Sequence, residues 1–317
     1  HILRDDNRIK PLTERKTIIC GDIKITPFSV DHSAYDAYMF LIETPGLTIL
    51  HTGDFRNHGY RGRALMGTID KYITRRGKRK IDVLITEGTM MSRQTEEVMT
   101  EMEMQHKAAE FFKDNRYIFL ICSSTNLDSL WSFYKAAEKC GMRFYANEYV
   151  CGQLQNFSKY AGSRAKGLYH FKSVYPVRWN LYLEKAKMSQ EEFMREKGFV
   201  IVIKAEEEYK KWVDRFEDLK PKIIYSMWEG YLDPKLKAYN EKLDKFLKYF
   251  SPDQVYKLHT SGHATKKCIE DVIRAINPRK AIIPIHTENG KAFAGLNIPE
   301  ELKQRIVYLN DREEFVV

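Results

Sequence analysis

Histidine pairs and cysteine pairs at metal-binding spacing are missing from this sequence. None of its nine histidines lies two positions from another, so there is no His-x-His pair. Its five cysteines show no Cys-x-x-Cys spacing, which excludes a structural thiolate site and a redox motif of that type. The odd number and wide scatter of these cysteines predict reduced thiols in a cytoplasmic protein. They are Cys20, Cys122, Cys140, Cys151 and Cys268.

Long apolar runs are also missing. No run approaches the ~20 residues that a membrane span requires, and no basic start followed by an apolar stretch precedes the first strand pattern. The sequence therefore predicts neither a membrane span nor a signal peptide. What it does have is 317 residues, of which 43% are hydrophobic and 13% aromatic. That is enough to bury one large core or two ordinary ones, and two domains are the better expectation.

The secondary-structure pattern changes near Ser92. Before it the sequence favours strands, with alternating apolar residues in Ile23–Val30 and a Pro45-Gly46 turn ahead of Leu47–Leu50. After it helix and strand patterns alternate, which favours a parallel sheet covered by helices on both faces. The main elements predicted there are helix Glu96–Asp114, strand Tyr117–Cys122, helix Leu127–Cys140, strand Arg143–Ala146, strand Phe199–Ile203, helix Glu206–Leu219, strand Lys222–Ser226 and helix Asp233–Phe250.

Four segments with histidine or aspartate follow apolar, β-branched runs. They are Val30-Asp-His-Ser33, His51-Thr-Gly-Asp54, Lys257-Leu-His-Thr-Ser-Gly-His263 and Ile282-Ile-Pro-Ile-His-Thr-Glu288. Strand ends present side chains into a cleft, and imidazole nitrogen with carboxylate oxygen suits a cation such as zinc. Two cations held ~3.5–4 Å apart need a shared carboxylate, for which Asp54 is the candidate. A lone histidine after a strand is more often structural, so it is the set of four that indicates a two-metal hydrolase site.

These segments resemble the metallo-β-lactamase-fold nucleases of the β-CASP group, which includes ribonuclease J and the cleavage-and-polyadenylation endonuclease. The resemblance extends over nearly the whole chain. It implies that His32, at a strand end, binds one metal ion. It also implies that Asp54, in Thr-Gly-Asp-Phe, bridges both ions and that His286, in Pro-Ile-His-Thr-Glu, binds the second.

The same resemblance implies the catalytic residues. Leu84-Ile-Thr-Glu-Gly-Thr89 is similar to the first β-CASP motif, with Glu87 as its acid, and His263 is similar to the second. His286 doubles as the third motif, where histidine is typical of members that process RNA rather than DNA. We therefore expect His263 to act on the leaving-group side as phosphate donor or general acid. Glu87 would hold its imidazole.

One diagnostic segment of the family is missing from the chain. His-x-His-x-Asp-His supplies three or four metal ligands and a water-activating aspartate in that family, and it has no counterpart here. The chain also opens with His1 rather than methionine. Residues 12–26 already have the strand pattern that precedes the family's third metal-binding motif. We therefore expect a protein that continues upstream. A homologue that has lost its metal ligands is the alternative.

The resemblance implies an α/β protein with a metallo-β-lactamase αβ/βα sandwich, incomplete at the N-terminus, and an inserted β-CASP domain with a parallel sheet. The predicted boundaries are 1–91 for the first part of the sandwich, 92–250 for the β-CASP domain and 251–317 for the C-terminal part.

Two further segments are candidates for binding substrate phosphates. Ser123, Ser124 and Asn126 follow a predicted strand and open a helix, where backbone amides favour an anion. An ordinary helix N-cap is the alternative. His259 and Ser261, two residues apart on an extended segment, would point the same way and align an RNA strand. For His259 a surface imidazole is the alternative.

Charge supports an anionic partner. The formal net charge is +9 and the isoelectric point is near 9.1, which favours binding to a phosphate backbone. A basic run precedes the strand pattern at Ile81–Thr86. It is either a solvated loop or an edge that contacts RNA, and the sequence does not decide between the two. Its members are Lys71, Arg75, Arg76, Lys78, Arg79 and Lys80.

We therefore expect a zinc-dependent ribonuclease that hydrolyses RNA phosphodiester bonds with a hydroxide activated by two metal ions. Manganese also suits such ligands. RNA is the expected partner, and a homodimer is left open. Two alternatives remain: a non-catalytic RNA-binding β-CASP homologue, and a metallo-hydrolase of small phosphoesters or esters, which the large inserted domain and the basic charge disfavour.

Overall fold

The computed structural model describes residues 11–93, 98–160 and 167–317. The chain divides into two compact units. The first comprises His1–Glu97 and Gly262–Val317, and the second comprises Val98–Ser261.

Strands and helices are numbered here in chain order. The strands are β1 Ile18–Cys20, β2 Ile23–Ser29, β3 Tyr38–Glu43, β4 Thr48–His51, β5 Val83–Glu87, β6 Tyr117–Cys122, β7 Arg143–Ala146, β8 Val174–Pro176, β9 Tyr182–Leu183, β10 Met188–Ser189, β11 Phe199–Ile203, β12 Lys222–Ser226, β13 Val255–Lys257 and β14 Ala281–Ile285. The α-helices are α1 Leu65–Thr68, α2 Glu101–Asp114, α3 Leu127–Lys139, α4 Glu148–Tyr160, α5 Gln190–Lys197, α6 Glu207–Asp214, α7 Glu241–Leu247, α8 Lys266–Ile276 and α9 Glu300–Lys303.

The first unit is built on a mixed six-stranded sheet in the order β1-β2-β3-β4-β5-β14. Strands β1 to β4 form an antiparallel meander, whereas β4, β5 and β14 are parallel neighbours. The sequence led us to expect a sandwich of two sheets. Among the residues that the structure describes, this unit contains one sheet. The mixed α/β class is as predicted.

Helix α8 covers the sheet of the first unit because its apolar residues recur at helical spacing. Ile269, Val272, Ile273 and Ile276 occupy one stripe of the helix and are all buried. They join a core that includes Leu84 of β5. The helix begins at its N-cap Thr265, whose hydroxyl accepts from Cys268 N–H.

The second unit contains a six-stranded parallel sheet in the order β13-β12-β6-β11-β7-β8, as the alternation of patterns predicts. Every residue of β11 is buried, so both faces of this strand are covered. Phe119 and Ile201 share a core with residues of α5, α6 and α7. On the other face Ile118 and Val200 are equally buried, and α3 packs against β7 and β11.

The two units divide after Glu97 and after Ser261, whereas the predicted boundaries fall after residues 91 and 250. Strand β13 pairs in parallel with β12, so it belongs to the sheet of the second unit, and the division falls after Ser261 instead of after residue 250. The helix predicted over Asp233–Phe250 is shorter as well. Its N-cap is Asn240, whose side chain accepts from Leu243 N–H at 3.0 Å.

No helix within 11–93, 98–160 or 167–317 combines the length and the apolar character needed to cross a bilayer.

Gly53 shapes the turn that follows β4. Its φ is +56°, in the left-handed region, and a Cβ atom added there would lie 2.7 Å from the carbonyl oxygen of Tyr38. We expect Gly53→Ala to lower the free energy of unfolding by about 1–3 kcal/mol, because it combines backbone strain with that clash. Urea unfolding followed by circular dichroism measures this change.

Gly67→Ala is the matched control. Gly67 lies in α1, and nothing lies within 4 Å of a Cβ atom added there. Alanine should leave stability unchanged or raise it by up to about 1 kcal/mol. Equal losses in the two variants would contradict the account given for Gly53.

Candidate metal centre

Three parallel strands end at the same edge of the first sheet. Asp54 follows β4 after the Gly53 turn, Glu87 is the last residue of β5, and His286 is the first residue after β14. The pairing of Ile285 with Glu87 aligns the last two positions. The carboxyl ends of neighbouring parallel strands are a common location for functional side chains.

Four side chains converge at this edge. Asp54, Glu87, His263 and His286 each offer a nitrogen or oxygen atom, and these atoms lie within 4.8 Å of one another. His263 lies in the second sequence segment of this unit, Gly262–Val317, just before α8. Four of the residues singled out from the sequence are thus neighbours.

Glu87 is fully buried, and N–H groups surround its carboxylate. Oε1 accepts from Phe55 N–H at 2.9 Å and from Ala264 N–H at 3.3 Å, and Oε2 accepts from Thr89 N–H at 3.4 Å. Nδ1 of His263 lies 3.1 Å from Oε2. Burial alone would raise the pKa of Glu87, but hydrogen bonds, led by the one from His263, hold that pKa below its usual range.

Glu87 also sets the orientation of His263. An ionised carboxylate only accepts hydrogen bonds, so Nδ1 of His263 carries a hydrogen, and Nε2 is the acceptor nitrogen of the neutral ring. The His263 ring centroid lies 5.1 Å from that of His32 and 5.3 Å from that of His286. Three imidazoles therefore stand side by side.

Asp54 and His286 form the more open half of the group. Asp54 Oδ1 lies 3.0 Å from Nδ1 of His286, and their side chains are 34% and 53% exposed. The Thr89 hydroxyl lies 3.1 Å from the same nitrogen and donates to the His286 carbonyl oxygen. His286 has a φ of 48°, which is uncommon for a residue with a side chain.

His32 lies beside this group without being one of the four. Its Nδ1 is 2.7 Å from the carbonyl oxygen of Gly262, and a carbonyl only accepts, so Nδ1 carries the hydrogen. Burial, together with the neighbouring His263, lowers the pKa of His32. The neutral ring with a free Nε2 is the form of histidine that binds metal ions.

The donor set suits zinc, which binds imidazole nitrogen and carboxylate oxygen. Asp54, His263 and His286 each have a ligand atom within 4.8 Å of the others, and His32 beside them would offer Nε2. Glu87 does not fit as a ligand, because N–H groups already cover both of its oxygens. With His32 added, the candidate donors are therefore three imidazoles and the carboxylate of Asp54, and the carboxylate of Glu87 supports them.

The predicted phosphate-binding residues all belong to the second unit. Asn126 is the N-cap of α3, where its side chain accepts from Ser129 N–H at 3.2 Å. Ser123 and Ser124 line a cavity of about 330 Å³ within that unit. Ser261 is buried and His259 half-buried. Asn126 therefore acts as the helix N-cap, which was the alternative interpretation, and phosphate binding by these residues stays a prediction.

Three residues that support the site were missed from the sequence. Thr89 reaches His286, and its position two residues after Glu87 was the available signal. Asp31 and Arg56 are both buried and form an ion pair at 3.5 Å. Asp31 also accepts from Gly59 N–H at 2.8 Å, which anchors the loop after Asp54 beside His32.

Glu87→Gln tests the support of His263. The amide of glutamine presents a donor to N–H groups that need an acceptor. We therefore expect the free energy of unfolding to fall by roughly 3–5 kcal/mol. Metal affinity should fall roughly 10–100-fold. The pKa of Glu87 is lowered on folding, so its stabilisation is present above the unfolded pKa and fades as pH falls below about 4.3. Wild type should therefore lose more stability than the variant on acidification, as urea unfolding across pH measures.

Glu288→Gln is the control, because it makes the same change at an exposed glutamate near the same edge. It should leave stability and its pH dependence close to those of wild type. If Glu87→Gln behaves in the same way, the buried carboxylate does not support the site.

Comparison with known proteins gives a family match and similar solved structures. Residues 252–294 match the RMMBL family, described as the Zn-dependent metallo-hydrolase RNA specificity domain. That segment contains His259, Ser261, His263 and His286. No curated protein matches the chain by sequence.

Among solved structures, the crystal structure of a protein of unknown function from Enterococcus faecalis V583 has a similar fold, with a TM-score of 0.69 and 20% sequence identity. The alignment covers 96% of this chain and 66% of that one, so this chain spans just under two thirds of its length. A likeness at this identity shows the fold alone. Over residues 252–294 the chain is thus similar to Zn-dependent metallo-hydrolases with an RNA specificity domain.

Proposed function

We propose that this protein is a zinc-dependent ribonuclease of the metallo-β-lactamase fold with a β-CASP insertion. The observation that carries the proposal is the convergence of Asp54, His263 and His286 at one sheet edge. Two of these residues lie in the segment that matches an RNA specificity domain of Zn-dependent metallo-hydrolases. The parallel sheet of the second unit is an argument for the β-CASP insertion, because that domain has such a sheet.

Asp54, His286 and His32 would hold the metal, with Asp54 between two ions where two are bound. Zinc bound there supplies a water of lowered pKa and positive charge beside the phosphoryl oxygens. Manganese suits the same ligands.

His263 is the residue placed to move a proton. When its ring is protonated, the Glu87 carboxylate accepts from Nδ1 and stabilises the imidazolium, so Nε2 can donate to the leaving oxygen of a phosphodiester. Glu87 keeps the Nδ1 hydrogen bond before and after that transfer. It acts as a positioning residue, as its burial and its contacts with backbone N–H groups favour.

One observation favours a second function. Within the part of the chain that the structure describes, the available donors at this edge comprise one carboxylate, because Glu87 is already engaged, and the sequence has no His-x-His pair. A non-catalytic RNA-binding homologue would have such a depleted set of ligands. Metal content separates the two functions.

Asp54→Ala should remove bound metal and abolish cleavage of both RNA and bis(p-nitrophenyl) phosphate, because the available carboxylate is lost. The measurements are zinc content by mass spectrometry and initial rates. They are made on this chain and on the full-length product of its gene.

Asp22→Ala is the matched control, since it removes an exposed aspartate in a turn of the same unit. It should retain metal and activity. Absence of zinc and activity in both lengths of the unmutated protein, with RNA still bound, would replace the nuclease by the RNA-binding homologue.

A further inference from the structure

The end of the first sheet opposite the candidate metal centre carries a dense group of cations. Strands β4, β5 and β14 all end at the metal centre and begin at this other end. The basic loop, residues 71–80, lies just before β5 and contains six basic residues and no acidic ones. The five residues of β5, at ~3.3 Å each, put the loop roughly 16 Å from Glu87.

Hydrogen bonds hold the basic loop in a defined shape. Arg75 and Arg76 are left-handed, with φ of 50° and 55°, and Arg76 N–H donates to the Asp70 carbonyl at 2.7 Å. Arg79 N–H donates to the Thr74 carbonyl at 2.8 Å. The Arg79 guanidinium donates to the carbonyl oxygens of Tyr72 at 3.0 Å and Ile73 at 2.8 Å, near the start of the loop. Arg79 is therefore part of the frame of the loop, and the other cations of the loop are exposed.

These exposed cations form no ion pairs with the described residues of the chain. Two nearby carboxylates are already taken, that of Glu43 by Arg79 at 3.2 Å and that of Asp82 by Arg279 at 2.5 Å. The exposed acid beside the loop is Asp70. Lys280 adds to the positive charge beside the loop. Its backbone N–H donates to the carbonyl oxygen of Asp82 at 2.9 Å, which places Lys280 next to the loop. The exposed cations are Lys71, Arg75, Arg76, Lys78, Lys80 and Lys280.

We propose that the basic loop and Lys280 form a second binding surface for the RNA backbone, separate from the metal centre. The choice of RNA as the polyanion rests on the proposed function. Concentrated cations without carboxylate partners repel one another, and successive phosphates of a nucleic acid relieve that repulsion with release of counterions. Arginine presents a fork of N–H groups that matches a phosphate.

The loop lacks the apolar residues that would favour a membrane surface. Ile73 is buried, and Tyr72 is half-buried with Arg15 and Lys71 over its ring. A peripheral membrane site usually adds exposed apolar side chains to its cations. Here cations alone are presented, which fits contacts to a phosphodiester backbone.

The distance between the two sites has a consequence for substrates. A small phosphodiester at the metal centre cannot span the roughly 16 Å to the loop, whereas a long RNA strand can touch both. The basic loop should therefore raise affinity for long RNA and leave the cleavage of small phosphodiesters unchanged.

The test uses the triple variant Arg75→Asn, Arg76→Asn and Lys78→Gln. Asparagine tolerates the left-handed backbone, so the loop should keep its shape. Affinity for a long single-stranded RNA is measured by fluorescence anisotropy in a chelator, across salt concentrations. We expect about tenfold weaker binding, with a salt slope smaller by about 2, since each lost phosphate contact removes ~0.7. Cleavage of bis(p-nitrophenyl) phosphate should be unchanged.

A charge-matched control replaces Lys235, Lys237 and Lys245 by glutamine. All three are exposed in the second unit, so the control removes the same net charge. It should bind RNA more tightly than the loop variant. Equal weakening in both triple variants would show that net charge alone drives binding and would overturn the proposal. A loop variant that binds RNA as wild type but loses binding to phosphatidylserine vesicles or to polyglutamate would also overturn it.

Failure of the nuclease proposal has a different signature. Asp54→Ala should bind RNA in the chelator as wild type does, because the metal centre does not contribute there. If no form cleaves any phosphodiester but the loop variant still binds RNA more weakly than the charge-matched control, the second surface stands and the nuclease does not.

Discussion

The buried carboxylate of Glu87 connects the loops from which the candidate metal centre is built. It accepts hydrogen bonds from backbone N–H groups of Phe55, Thr89 and Ala264, which belong to three separate loops. A fully buried carboxylate is costly unless donors surround it, so the loops must converge for the fold to tolerate Glu87. The same contacts fix the position of His263 and lower the pKa of Glu87. Folding and the assembly of the site are therefore one event at this residue.

Much of the strand framework could be predicted because the strands are short apolar runs between polar segments. Tyr117–Cys122 and Phe199–Ile203 have the same bounds in the structure as in the sequence pattern. Pattern alone was less informative between 147 and 198, where aromatic residues obscure the helical spacing and α4 and α5 were missed. Strand β13 was assigned to the wrong unit because its partner β12 is distant in sequence and no local signal identifies a pairing.

The site could be predicted in outline but not in its division of roles. Asp54, Glu87, His263 and His286 were each marked by a strand end, and they are neighbours in space. What the sequence could not reveal is which N–H groups reach which carboxylate. Those donors are backbone atoms, identical at every residue, and only the fold decides where they point. The buried pair of Asp31 with Arg56 was missed for a related reason, since its partners meet only through loop geometry.

The two carboxylates of the group show how burial separates support from ligand. Glu87 is fully buried and N–H groups cover both of its oxygens, whereas Asp54 keeps 34% of its side chain exposed and has one imidazole beside it. A metal ion must displace whatever a ligand already binds. Displacing several N–H groups from Glu87 would leave them buried and unsatisfied, at ~1–3 kcal/mol each. Displacing His286 from Asp54 leaves both side chains free to bind the same ion. The physical cost of exchange therefore favours Asp54 over Glu87 as a ligand in the proposed metal centre.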